Sequence, residues 1–281
     1  MCDSIERVGH STIQHGKYNN SINLIKLDKR DKDTIIPKLE NLAKHNNYTK
    51  IFAKVPFWGC FQFQKKKFFK EAFIPNLYDG RVGSYFMSKY YDQDRYMISK
   101  TKRDQIYEIL QIAKTKANKV NELEQENEFK IKVLKQKDLP MLAELYQTVF
   151  KSYPFPILDE SYLLKTMKKN IIYFGAFKDK TLVAGSSADM DPENRNVEMT
   201  DFATHPDHLG KNLSLHLLSS MEAEMKDKDI ITAYTITRSF STGINITFAK
   251  NKYQFSGLLI NNTNFNGQIE SMNVWYKKMM K

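Results

Sequence analysis

The sequence predicts a mixed α/β protein in two parts, and three observations carry that reading. Runs with strand-like period-two alternation and runs with apolar residues three and four apart follow one another along the chain. One strand-like run, Val197–Thr204, passes through a short turn centred on Gly210 straight into a helix. On that helix Leu213, Leu217, Met221 and Met225 share a face. Residues 101–127 break the alternation. Their composition is helix-forming, with few large apolar side chains after Ile112, which marks a connecting helix or linker between residues 1–100 and 128–281.

In the first part, Ile22–Leu27 reads as a strand and Lys32–His45 as a helix, with Pro37 admissible only in its first turn. Lys50–Val55 reads as a strand, Lys65–Phe69 as the start of a short helix, and Arg81–Tyr91 as a strand. In the second part, Phe129, Ile131 and Val133 alternate as a strand should. Asp138 caps a helix carrying Leu139, Leu142, Leu145, Tyr146 and Val149, and Asp159 caps another through Tyr162, Leu163 and Met167. Strands Ile171–Phe177 and Thr181–Asp189 are joined by the Lys178-Asp179-Lys180 turn. After the Gly210 helix come a strand at Ile231–Thr237, a helix at Thr242–Lys250 and two last strands.

A strand that delivers a glycine turn to a helix N-terminus is an anion site. The first helical N–H groups have no partners within the helix, and the helix dipole directs positive charge outward. Lys211 adds a full charge. Neither GxxxxGK[ST] nor GxGxxG occurs, which excludes a Walker loop and a dinucleotide fingerprint. Asp207-His208-Leu209-Gly210-Lys211-Asn212 resembles the Q/R-x-x-G-x-G/A pyrophosphate loop of GNAT-type acyl-CoA N-acyltransferases. Asp207, Leu209 and Asn212 depart from the usual residues, although Asn tolerates a left-handed backbone.

The runs EMTDFATHP, TAYTITRSFSTGINITFAK and ESMNVWYK, with IQHGKYNNSINLIKL, YTKIFAKVP and EAFIPNLYDG in the first part, resemble the β-lysine N-acetyltransferase family, a GNAT branch. The resemblance implies a GNAT fold for residues 128–281, matching the β-α-α-β-β-β-α-β-α-β-β order. The first part, 1–100, has a strand and helix order hinting at a degenerate copy of that fold. It lacks a glycine turn at a helix start and is expected to be non-catalytic. The resemblance also implies acetyl-CoA as cosubstrate, no metal, and a small-molecule amine acceptor, L-β-lysine, converted to the compatible solute Nε-acetyl-β-lysine. Two alternatives remain: an enzyme for another diamine, lysine or a protein amine, and a non-catalytic acyl-CoA-binding protein.

Acyl transfer to a protonated amine needs a base. Glu198 is the candidate, on the strand entering the loop. Strict alternation puts Glu198, Thr200, Phe202 and Thr204 on one face and Asp201 on the other. Phe202, Ala203, Thr204, Leu209, Gly210, Lys211, Asn212 and Leu213 are the expected cofactor contacts. Many relatives place an acidic Tyr where this chain has Phe248, so Tyr234, Tyr253 or a water is left as proton donor. For the acceptor, Arg238 can grip a carboxylate bidentately, with Asp201, Asn261 and Asn273 as further contacts.

The net charge of +11 is spread over many lysines, and the longest basic run is Lys65-Lys66-Lys67, with few arginines. That pattern argues against nucleic-acid binding and for electrostatic steering of a polyanionic cosubstrate. No run approaches 18 apolar residues, so no membrane helix is expected. The N-terminal stretch has no apolar signal segment. Cys2 and Cys60 do not make a disulfide framework, and a cytoplasmic setting is expected. His205 and His208 lack a third ligand nearby.

Overall fold

The computed structural model describes residues 3–118 and 128–279. The expected linker thus falls partly outside the described residues, at 119–127. Its described part is the helix α4 (Lys100–Ala117), preceded by the short α3 (Gln93–Tyr96). Leu110, Ala113 and Ala117 of α4 pack into the core of the second part, so α4 is a structural helix of that part.

The first sheet contains β1 (Ser4–Val8), β2 (Ser11–Gly16), β3 (Ser21–Lys26), β4 (Lys50–Pro56), β5 (Phe69–Tyr78) and β6 (Val82–Tyr90), with α1 (Ile35–His45) and α2 (Cys60–Lys65). The second contains β7 (Phe129–Val133), β8 (Ile171–Lys178), β9 (Thr181–Asp191), β10 (Asn196–Thr204), β11 (Thr232–Arg238), β12 (Gln254–Phe265) and β13 (Gln268–Lys278). Its helices are α5 (Leu139–Val149), α6 (Glu160–Met167), α7 (Leu213–Asp227) and α8 (Thr242–Lys250).

The strand orders are β1-β2-β3-β4-β6-β5 and β7-β8-β9-β10-β11-β13-β12. Apart from the extra β7 they are the same. In each sheet one parallel pair, β3/β4 or β10/β11, sits among antiparallel neighbours. In each a helix, α1 or α7, bridges that pair. The first part is therefore a GNAT-like domain built on the plan of the second.

Three differences from the sequence reading stand out. β1 was not expected because four of its five residues are exposed and show no alternation. β5 was not expected because it carries Pro75 and two register breaks; it is an edge strand, where a missing N–H is tolerated. The helix expected at Lys65–Phe69 instead ends at Lys65, and Lys67 turns the chain with φ 61°.

In the second part, α7, α8 and α4 cover one face of the sheet, burying Leu213, Leu217, Met221 and Met225 with Phe248 and Trp275. On the other face, α5 and α6 bury Leu139, Leu142, Tyr146 and Leu163 against Tyr173 and Phe177. The remainder of that face meets the first sheet. Phe52, Ile74, Leu77 and Phe86 pack there against Tyr234, Leu259, Met272 and Val274. On β4 the period of two sends Ile51, Ala53 and Val55 into the first core and Lys50, Phe52 and Lys54 toward the second sheet.

The joint is close and polar as well as apolar. Gly257 is required because a Cβ there would lie 2.0 Å from the Glu71 carbonyl oxygen. Ser256 Oγ donates to Phe73 O at 2.6 Å. Buried Lys50 donates to Ile260 O at 2.8 Å and faces Glu71 at 3.5 Å, while Arg95 Nε donates to Asn261 O at 2.7 Å. These bonds hold the wide bulge between Leu259 and Thr263, where β12 carries extra residues relative to β13. No helix among the described residues is long and apolar enough to cross a membrane.

Candidate active site

β10 and β11 pair only from Asn196–Glu198 against Thr232–Tyr234, then diverge. The gap between their free ends opens a cleft of about 500 Å³. Phe202, Thr204 and residues 208–215 form one wall. Thr235, Ile236, Thr237 and Arg238, with Ser241, Gly243 and Lys250, form the other.

The Gly210 turn lies at the mouth. Gly210 has φ 80° and Asn212 φ 54°, both left-handed, and α7 begins at Leu213. An added Cβ at Gly210 would meet nothing within 4 Å, so this backbone faces open space. The Asn212 side chain makes no capping bond; Leu215 N donates to Asn212 O at 2.9 Å, and the N–H groups of Leu213 and Ser214 at the helix start are open to a ligand. Lys211 and Lys250 line the same cleft. Phosphates fit such a site. Of the expected contacts, Phe202, Thr204, Leu209, Gly210, Lys211, Asn212 and Leu213 line the cleft. Ala203 does not: it is buried among residues of α5 and α6.

A second cavity, of about 550 Å³, lies between the two sheets. Asn23, Phe52, Lys54 and Phe86 come from the first part, and Asp189, Glu198, Tyr234 and Asn262 from the second. Thr200, Asp201, Tyr153, Ile236, Phe265 and Met272 line both cavities. They form the junction where a group held in one meets a group held in the other.

A bulge in β10 builds that junction. Thr200 pairs with Ser187 but Ala203 with Gly185, so β10 carries one extra residue. Asp201 adopts φ 54°. The bulge breaks the strict alternation and corrects two assignments. Phe202 turns away from Glu198 to pack on Phe248, with ring centroids 5.6 Å apart. Asp201, placed on the opposite face by alternation, lines the same cavity as Glu198. Its carboxylate accepts from Tyr153 Oη at 2.7 Å and from Ser187 Oγ. Burial raises its pKa, and these hydrogen bonds oppose the rise.

Glu198 is at the apex where the strands part. Burial pushes its pKa up to about 7, with Lys54 opposing and Asp189 adding to the rise. Tyr234 Oη donates to Glu198 Oε2 at 3.0 Å and accepts from Lys54 Nζ at 3.1 Å. Asp189, beside Glu198 on β9, is pushed up to about 6, mainly by burial. Of the alternative proton donors, Tyr234 lines the second cavity. Tyr253 packs on Phe248 in the core and lines neither cavity.

The acceptor contacts expected from sequence are largely relocated. Arg238 is already gripped by Glu270, with Nε to Oε2 at 2.9 Å and Nη2 to Oε1 at 2.7 Å, and it lines the first cleft rather than the second cavity. Asn261 lines neither cavity. Its amide donates to the carbonyls of Asp94, Arg95 and Met97 and fastens β12 to the first part. Asn273 is fully buried on the α8 side of β13 and donates to Asn245 Oδ1 at 2.9 Å. Sequence reasoning missed Lys54, Asp189 and Tyr153. The available signal for Lys54 was two lysines, Lys50 and Lys54, at even spacing within an otherwise apolar strand.

A forked parallel pair, a bulge and an open helix N-terminus define a GNAT-type N-acetyltransferase. Residues 139–242 match the model of the acetyltransferase (GNAT) family. The β-lysine N6-acetyltransferase of Methanococcus maripaludis is 37% identical over 277 residues, covering 98% of this chain and 98% of its own. A β-lysine N6-acetyltransferase of Methanosarcina mazei is 38% identical over 144 residues, covering 51% of this chain and 53% of its own. The N-acetyltransferase YodP of Bacillus subtilis is 28% identical over 281 residues, covering 99% of this chain and all of its own. The chain belongs to the β-lysine N6-acetyltransferase family.

Proposed function

We propose that this enzyme transfers the acetyl group of acetyl-CoA to the terminal amine of L-β-lysine. The observation that carries the reading is the junction: a cleft suited to a phosphorylated cosubstrate meets a carboxylate-lined cavity at Thr200–Asp201. The name and full-length coverage of the 37% identical relative supply the acceptor.

Residues of the 208–215 turn hold the pyrophosphate, and the acyl arm lies between β10 and β11. The acceptor enters the cavity between the sheets, and Asp201 steadies its terminal ammonium at the junction. Glu198, directly or through one water, takes a proton from that ammonium. A carboxylate with a pKa near 7 is matched to this task at neutral pH. The amine nitrogen attacks the thioester carbonyl carbon, the C–S bond breaks, and the sulfur leaves as CoA thiolate and picks up a proton. Tyr234, bonded to Glu198, fixes the base.

On this reading the chain divides just before α4 rather than across the expected linker at 101–127, and the first part contributes a wall of the acceptor cavity rather than a cosubstrate site. Buried Cys60 is a free thiol, which suits a reducing cytoplasm. A CoA-release assay over β-lysine, α-lysine, ornithine, spermidine and a lysine-containing peptide tests the assignment. β-Lysine should have the highest kcat/KM, and a higher value for spermidine or the peptide would overturn it.

A further inference from the structure

Resting on that reading, we infer that Lys54, from the first part, binds the carboxylate of the acceptor, and that Asp189 binds its inner ammonium. The acceptor's charges then set its register in the cavity, so that the terminal amine alone reaches the junction.

The cavity is lined by four acids, Asp3, Asp189, Glu198 and Asp201, and two cations, Lys54 and Lys169. An excess of carboxylates suits a ligand with two ammonium groups and one carboxylate. Lys169 is exposed, whereas Lys54 is partly buried and lines the cavity with Asp189, Glu198 and Asp201. Arg238, the residue with the better geometry for a carboxylate, is held by Glu270 in the other cleft.

Lys54 is also at a suitable reach. Its Nζ is separated from Glu198 by the Tyr234 hydroxyl, through hydrogen bonds of 3.1 and 3.0 Å. The carboxylate and terminal nitrogen of β-lysine are separated by a flexible chain of carbons. A carboxylate on Lys54 therefore leaves the terminal nitrogen able to reach the Glu198–Asp201 end of the cavity. Asp189 pairs with Glu198 across β9 and β10 and lines the same cavity, within which it can take the inner ammonium. An ammonium donating to an acceptor carboxylate makes a charge-assisted bond, and an analogue lacking the carboxylate forfeits it.

The test compares Lys54→Met with the wild type on β-lysine and on its decarboxylated analogue. Measurements on the alkaline plateau remove any change in the ionisation of Glu198. Lys54→Met should lower kcat/KM for β-lysine roughly 10–100-fold, mainly through KM, and the analogue's by less than about threefold. Lys54→Arg should recover most of the β-lysine activity. Asp189→Asn should penalise β-lysine more than an analogue lacking the inner amine. Equal losses on both substrates, or no loss on β-lysine, would overturn the role of Lys54. A wild type that ignores β-lysine but acetylates another amine would overturn the assigned acceptor instead, a result visible before any variant is made.

Discussion

The two sheets share a strand order, and the connection after the first strand of each parallel pair separates an open cleft from a packed core. In the second sheet β10 and β11 part after three residue pairs, and Gly210 and Asn212, both left-handed, bring α7 in behind an open gap. In the first sheet the connection from β3 to α1 carries no glycine and places a buried carboxylate ahead of the helix. Asp31 is buried, accepting from His10 N and Ser11 Oγ at 2.7 Å each, and Asp28 is paired with Arg30. A buried carboxylate before a helix N-terminus repels phosphate. β3 and β4 also stop pairing, after four residue pairs, but the space at their ends is packed around Gly59. A Cβ on Gly59 would lie 3.1 Å from Leu27 and 3.3 Å from Val55. One architecture thus leaves an open cleft, the proposed cosubstrate site, where the wedge is open and a packing surface where it is closed. The closed copy turns Lys50, Phe52 and Lys54 outward onto the other sheet.

Breaking the chemistry on the open side should have the largest effect. Glu198→Gln should cost roughly 10²–10⁴ in kcat, with acetyl-CoA affinity nearly intact. In the wild type kcat/KM should rise with pH and level off above about 7, as Glu198 ionises. The variant should lose that limb. The stability effect has the opposite sign. The folded state holds the Glu198 proton more tightly than the unfolded chain, so stability falls as pH rises from the unfolded carboxyl pKa through about 7. Glu198→Gln removes that loss, and thermal unfolding at pH 8 should show a variant at least as stable as the wild type. A wild-type rate profile in the variant would remove Glu198 from the chemistry.

The joint between the copies comes next in size. Gly257→Ala forces a Cβ against the Glu71 carbonyl. It should destabilise the protein by about 1–3 kcal/mol and raise the acceptor KM more than that of acetyl-CoA. Equal effects on both KM values would mean that the joint does not shape the acceptor cavity.

A smaller effect is expected from Arg238→Lys. Because Glu270 already occupies the guanidinium fork, the substitution should disturb β-lysine KM less than Lys54→Met does. The reverse order in steady-state kinetics would restore Arg238 as the carboxylate contact.

The comparison also explains what was legible in the sequence. The second part could be read element by element because its strands alternate and its helices carry caps such as Asp159. The turn at Gly210 could be read because its chemistry is local. The first part was harder: β1 is exposed along its length, and β5 hides behind Pro75 and its register breaks. The acceptor contacts depend on pairings distant in sequence. Arg238 meets Glu270, Lys54 meets Tyr234, and Asn261 meets the 94–97 segment. One inserted residue in β10 was enough to move Asp201 onto the cavity face, and no periodicity reveals such a bulge.

The most direct test of the central claim is a calorimetric titration of the full chain with acetyl-CoA. One site per chain is expected, weakened at least about tenfold, or about 1.4 kcal/mol, by Gly210→Val, because valine is strained at φ 80° and fills the space the loop backbone offers. Asp31→Asn, in the matching connection of the first sheet, should leave stoichiometry and affinity unchanged. Two sites per chain, or one site untouched by Gly210→Val, would contradict the claim.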